Sequence, residues 1–186
     1  MSRLTPPVND NDHIRGLPSA GITLVEFGDF QCSSCASAYP EIKEVQRVLG
    51  KELRFVYRHF PMSNIHAYAF SAAVAAEAAG KQNKFWQMHD MIFERQVLLS
   101  EYALLEFAED LGLNMRTFRN DLADESLPAK VEYDFESGVM SGVNGTPSFY
   151  INGFKYNGSP DYPSLLNAIV GQSSRIKDSE FVEDLF

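Results

Sequence analysis

The feature that most constrains this chain is the stretch Leu24-Val25-Glu26-Phe27-Gly28-Asp29-Phe30-Gln31-Cys32-Ser33-Ser34-Cys35. A short apolar run ends in a Cys-x-x-Cys, and a helical pattern begins at once. Cys32 and Cys35 are the only two cysteines in 186 residues, so any sulfur chemistry happens here. The pattern reads as a strand that delivers a dithiol to the first turn of a helix. Thiol–disulfide exchange needs one thiolate that attacks and a second thiol that resolves the mixed disulfide. Cys32 is expected at or near the helix N-cap, exposed, where backbone donors and the helix dipole stabilise its anion. Cys35, one turn further, is expected to be more buried and to act as the resolving thiol. The competing reading is half of a zinc site, which needs two further ligands. No other cysteine exists, and His59, His66 and His89 are isolated from one another in the sequence. We therefore expect no metal, and no cofactor beyond a redox-active Cys32–Cys35 disulfide.

The flanking segments build a sheet around that dithiol. Residues 22–27 are β-branched and apolar, as suits a strand buried on both faces. From Ser33 the apolar residues follow helical spacing to Gly50, a natural C-cap, with Pro40 inside and a kink expected there. Residues 52–60 alternate as a second strand stopped by Pro61. Two strands joined by one helix favour a parallel pair with a right-handed crossover. Residues 64–142 then read as helices only: 64–79 ended by Gly80, one through Phe85–Phe93, one capped by Ser100, one from Asn114 to Leu122, and one opening near Pro128. In the last, Val131, Phe135, Val139 and Gly142 lie along one face. Strands return at 147–151 and 154–157, joined by Asn152-Gly153, a strong type I′ hairpin signal. Asp161 and Pro163 open a final helix. The expected fold class is α/β, a central mixed sheet with an inserted all-helical subdomain. Residues 1–20 are expected to form an arm, 21–62 and 143–171 the sheet domain, 63–142 the insertion, and 172–186 a loosely held tail.

Composition narrows the function. The chain carries a net charge of −9 and a pI of about 4.9, which argues against nucleic acid as a partner because phosphate binding needs a basic surface. Residues 1–12 contain no apolar core of a secretory signal. The longest Ala-rich stretch, Ala67 to Ala79, is too short to span a bilayer of about 30 Å. A cytoplasmic location is expected, and there a lone vicinal cysteine pair is better read as redox-active or metal-binding than as a staple.

Two further positions stand out. Glu26 lies in an otherwise apolar strand. Buried there, its carboxyl would have a raised pKa and could relay the proton of the inner thiol; facing an edge, it would be a solvated acid. Pro147 opens a strand, where a missing N–H is tolerated, and its neighbours Thr146 and Ser148 could be ordinary turn residues.

Together the segments Val25–Cys32, Tyr57–Pro61, Lys84–Asp90 and Gly145–Gly153 resemble the thioredoxin-like superfamily. They are most similar to DsbA-type thiol oxidoreductases with a helical insertion, over roughly residues 13–170. The resemblance implies that Cys32 is the nucleophile, Cys35 the resolving cysteine and Glu26 the buried acid. It also implies that Pro147 is a cis-proline facing the dithiol, with Thr146 offering backbone groups to an extended substrate. Phe30, Gln31, Ser33 and Ser34 are expected to line the active-site surface, with Met62 nearby. The departure is Ser33-Ser34, where strongly oxidising relatives carry Pro-His. The implied function is exchange of disulfides with protein thiols or glutathione-type thiols. The alternatives are a glutathione-dependent small-molecule isomerase or transferase on the same fold, and a non-catalytic peptide-binding module.

Overall fold

The computed structural model describes residues 2–171, so the expected loose tail at 172–186 lies outside the described residues. Its centre is the strand β2 (Ile22–Gly28), buried along its whole length. The helix α1 (Ser33–Leu49) crosses over to β3 (Leu53–His59), which pairs parallel to β2. On the other side of β2, β4 (Ser148–Ile151) runs antiparallel and turns through Asn152 and Gly153 into β5 (Phe154–Tyr156). Both turn residues have positive φ, 49° and 82°, as the type I′ geometry requires. A three-residue strand, β1 (His13–Arg15), pairs antiparallel to β3 and completes the order β1-β3-β2-β4-β5. Thus the first twenty residues, read as an arm, contribute an edge strand and a buried Leu4. Three residues carry too little periodicity to be seen alone; their strand character comes from pairing with Phe55, Val56 and Tyr57.

Alternation along β2 sorts its side chains between two cores. Leu24 packs in the larger core with α1, Phe55, Tyr57 and the helices, while Val25 and Phe27 pack in a smaller one with Val56, Phe60 and Tyr150. Glu26 has the parity of Leu24 and so shares the dithiol's side of the sheet. It lies between Tyr57 of β3 and Phe149 of β4.

Between β3 and β4 the described chain is helical: α2 (Ala69–Gly80), α3 (Phe85–Glu94), α4 (Glu101–Asp110), α5 (Met115–Asp121) and α6 (Ser126–Ser141). Ser100 and Asn114 cap α4 and α5 by accepting from Ala103 and Thr117 backbone N–H groups. Residues 162–171 form the last helix. Pro40 lies within continuous α1, and Gly50 is its C-cap. Two expectations are corrected. The first inserted helix begins at Ala69 rather than Asn64, because residues 62–68 are tied down elsewhere. Met62 N–H and His66 Nδ1 bond the Asp29 carboxylate, and Tyr68 N–H donates to Gln31 Oε1. The buried face of α6 is Leu127, Val131, Asp134, Ser137, Gly138 and Ser141, while Val139 is exposed. Its polar members have partners: Asp134 accepts from His59 N–H, Ser137 Oγ lies beside Arg58, and Ser141 Oγ accepts from Thr5 N–H.

Arg58 fastens the N-terminal segment to this face. Its fully buried guanidinium bonds both Asp12 oxygens at 2.7 and 2.9 Å and the carbonyls of Pro6 and Pro7. Removing one partner leaves a buried charge uncompensated, which costs about 3–5 kcal/mol. Asp12→Ala is expected to lower the urea-unfolding free energy by that amount, and a loss below about 1 kcal/mol would contradict the role given to this pair.

Candidate active site

Cys32 is the N-cap of α1, with φ −72° and ψ 122°. This extended conformation turns its sulfur out of the helix while its carbonyl begins the helical ladder, accepting from Ala36 N–H at 3.1 Å. The same carbonyl accepts at 3.0 Å from the side-chain amide of Gln96, which also donates at 2.9 Å to the Phe30 carbonyl. The Cys32 thiol reaches the Thr146 carbonyl at 3.4 Å, and the Thr146–Pro147 peptide is cis. The sulfur therefore sits where the start of α1, the inserted helices and the loop before β4 meet.

The two thiols are free and differ sharply in environment. Cys35 is fully buried and Cys32 is 8% exposed, less than its expected accessibility. The Cys35 thiol, hydrogen-bonded to Cys32, brings the Cys32 pKa down to about 5. Burial opposes this, while the Thr146 side-chain hydroxyl and the backbone N–H groups of Cys35 and Ser34 add to it. Cys35 moves the other way, raised first by burial and then by its bond to Cys32 and by the charge of Glu26. Glu26, 3% exposed, is raised to about 8, first by burial and then by the Cys32 charge. One thiol is thus ionised at neutral pH, the other protonated, and a carboxyl that titrates near neutrality lies on the same side of the sheet.

The remaining sequence candidates divide. Ser33 and Ser34 are exposed, and Thr146 and Pro147 are half-buried. Met62 reaches the site, its sulfur 3.8 Å from Thr146 Oγ1. Phe30 is corrected: it is 1% exposed and packs among Tyr57, His59, His89 and Phe93, with ring centroids 5.1–5.7 Å away. Gln31 is half-buried, with its side-chain oxygen engaged by Tyr68 N–H, so it shapes the loop more than it faces outward.

Two contributors were missed. The buried Asp29 carboxylate gathers the N–H groups of Gln31 and Met62 and the His66 ring, holding the loop before Cys32 against the loop after β3. Its place between Gly28 and the cysteine motif was a usable signal. Gln96 had none, since it lies 64 residues from Cys32 in the short link between α3 and α4. A further buried group, His59, Glu77 and Asp134, brings three possible metal-ligating atoms within 4.8 Å. Here both His13 and His59 bond Glu77 Oε1, and Lys130 Nζ lies 2.6 Å from Asp134 Oδ2. The lysine already supplies positive charge, so the group reads as a buried polar network.

The comparisons with known proteins identify the family and the fold. The thioredoxin family profile matches residues 8–170, and the chain belongs to that family, as a DsbA-like thioredoxin fold with a helical insertion. A thioredoxin-like oxidoreductase from Silicibacter pomeroyi superposes with a TM-score of 0.78 at 26% identity, covering 90% of this chain and 94% of the other. BdbD from Bacillus subtilis in its oxidised form gives 0.78 at 22% identity, covering 92% and 96%. Among curated relatives, a Na(+)/H(+) antiporter NhaA from Salinispora arenicola is 40% identical over 166 residues, 89% of this chain. The chain spans about a quarter of the length of the curated relatives it matches, 25% in that case, so the similarity is to one part of a much longer protein. No helix among the described residues is long and apolar enough to cross a membrane.

The Cys32 environment has a direct readout. Alkylation of the reduced protein by iodoacetamide follows the thiolate, so its rate is expected to rise as pH increases through about 5. A midpoint near the ordinary thiol value, about 8.5, would contradict the stabilisation described.

Proposed function

We propose that the chain catalyses thiol–disulfide exchange on polypeptide substrates through its Cys-Ser-Ser-Cys dithiol. The observation that carries this reading is the Cys32 sulfur at the helix N-cap, beside the cis Thr146–Pro147 peptide, with its thiol pKa brought down to about 5. In the reducing direction, the Cys32 thiolate attacks one sulfur of a substrate disulfide. A Cys32–substrate bond forms, the substrate S–S bond breaks, and the other substrate sulfur leaves as a thiolate. Cys35 then loses its proton and attacks the Cys32 sulfur, which forms the Cys32–Cys35 disulfide and expels the second substrate thiolate. Two electrons pass to the substrate and the leaving thiolates take up protons. The reverse sequence oxidises a dithiol. Thr146, preceding β4, would present its backbone to an extended substrate chain, as in strand addition.

Glu26 is the group suited to take the Cys35 proton. Its pKa of about 8 lies close enough to neutrality for both forms to be populated, which is what proton transfer requires. The cavity beside Met62 is mostly apolar, with Glu132 and Glu136 among its lining. That chemistry favours a polypeptide over glutathione, whose carboxylates two glutamates would repel.

Cys32→Ser is expected to abolish reduction of insulin disulfides, while Cys35→Ser should retain the attack and accumulate a mixed disulfide detectable by mass spectrometry. Full activity in the Cys32 variant would overturn the reading. Glu26→Gln should slow release of that mixed disulfide by about a hundredfold or more and remove a rate increase through pH 8. An unchanged pH profile of release would remove Glu26 from the mechanism.

A further inference from the structure

An apolar groove can be followed away from the dithiol by way of Thr146 and Met62. It begins at Met62, whose sulfur touches Thr146 Oγ1, and Thr146 in turn faces the Cys32 sulfur. From there it opens between the segment 60–64, the start of α2 and the outer part of α6, with a volume of about 550 Å³. Its walls are Phe60, Pro61, Met62, Phe70, Val131 and Phe135. The shape depends on Gly138. A Cβ at that position would lie 2.5 Å from the Phe60 ring, so the glycine lets the ring lie close on α6. Phe60 then stacks on Phe135 with centroids 4.4 Å apart and planes 22° from parallel. Phe135 remains 36% exposed, an aromatic surface that water covers only at a cost.

The mouth of this apolar groove is acidic. Glu132 and Glu136 stand one turn apart on α6, both exposed, and the lining includes no Lys or Arg. The nearest basic residue along the helix, Lys130, is engaged inward with Asp134. Neither glutamate forms an ion pair among the described residues. An apolar floor under two uncompensated carboxylates matches a ligand with the opposite arrangement: a large apolar side chain beside a cation.

We propose that the groove receives a segment of the substrate polypeptide in which an aromatic or aliphatic side chain is flanked by lysine or arginine, a few residues from the cysteine under attack. The inference rests on the exchange activity proposed above. A chain joined to Cys32 and extended past Thr146 meets Met62 first and this groove next. The apolar side chain would bury against Phe60 and Phe135, and its basic neighbour would lie near Glu132 and Glu136. Apolar pockets of this kind discriminate by about ten- to two-hundredfold per well-fitted group.

Three peptides test it, each with one cysteine linked by a disulfide to a quencher thiol and differing only near that cysteine: Phe beside Lys, Ser beside Lys, and Phe beside Glu. The first is expected to have the highest kcat/KM, with each replacement lowering it about tenfold. High salt should erase the Lys-over-Glu difference and leave the Phe-over-Ser difference. In the E132K/E136K protein the Lys-over-Glu ratio should invert. Hydroxyethyl disulfide, too short to reach from Cys32 into the groove while it reacts, separates the two levels of the claim. If it is turned over while the three peptides react equally, the groove assignment is overturned and the exchange reading stands. If neither it nor any peptide reacts, both are overturned. A dimer in sedimentation that dissociates in E132K/E136K, with no peptide preference, would assign the groove to a second copy of this chain and also overturn the proposal.

Discussion

The structure depends on holding one sulfur at the start of a helix. A cysteine at an N-cap has the unsatisfied N–H groups of the first turn on its side, and these favour the anion only if the sulfur stays there. Three separate parts of the chain provide that constraint. Gln96 bonds the carbonyls of Phe30 and Cys32, Thr146 meets the sulfur, and Asp29 gathers Gln31, Met62 and His66 behind it. The inserted segment is thus part of the site, since His66 lies in the link from β3 to α2 and Gln96 in the link from α3 to α4.

Burial sets the chemistry as much as proximity does. β2 is buried end to end, yet it carries one carboxyl, and the low-polarity surroundings push Glu26 up toward neutrality. The same surroundings push Cys35 up, while Cys32, at the edge of that environment and hydrogen-bonded, is brought down. Two chemically identical thiols three residues apart are thereby given different protonation states at one pH. Elsewhere the interior tolerates charge only in networks. Arg58 is matched by Asp12, and Glu77, which burial alone would raise, is held below the usual carboxylate range by His13 and His59.

Much of this is legible in the sequence, because it rests on local signals. The apolar run into Cys-x-x-Cys, the Gly50 cap, the Asn152-Gly153 turn and the Ser100 and Asn114 caps each encode their geometry within a few residues. What could not be read depends on distant partners. The start of α2 is delayed because Asp29 and Gln31, more than thirty residues away, occupy the groups of residues 62–68. Phe30 looked like a surface residue because its aromatic neighbours come from β3 and α3. The buried face of α6 does not follow its apolar residues because Asp134, Ser137 and Ser141 are polar residues buried against Arg58, His59 and Thr5. Gln96 acts across 64 residues and carries no local mark.

The most direct test of this account is the equilibrium potential of the Cys32–Cys35 couple against glutathione. Stabilising the thiolate stabilises the reduced protein and makes the disulfide more oxidising. A Cys32 pKa of about 5 falls between the values of about 7 and about 3.5 that accompany potentials of about −270 and about −120 mV. The couple is therefore expected between those two limits. A potential at or below about −270 mV would contradict the thiolate stabilisation on which the site is built.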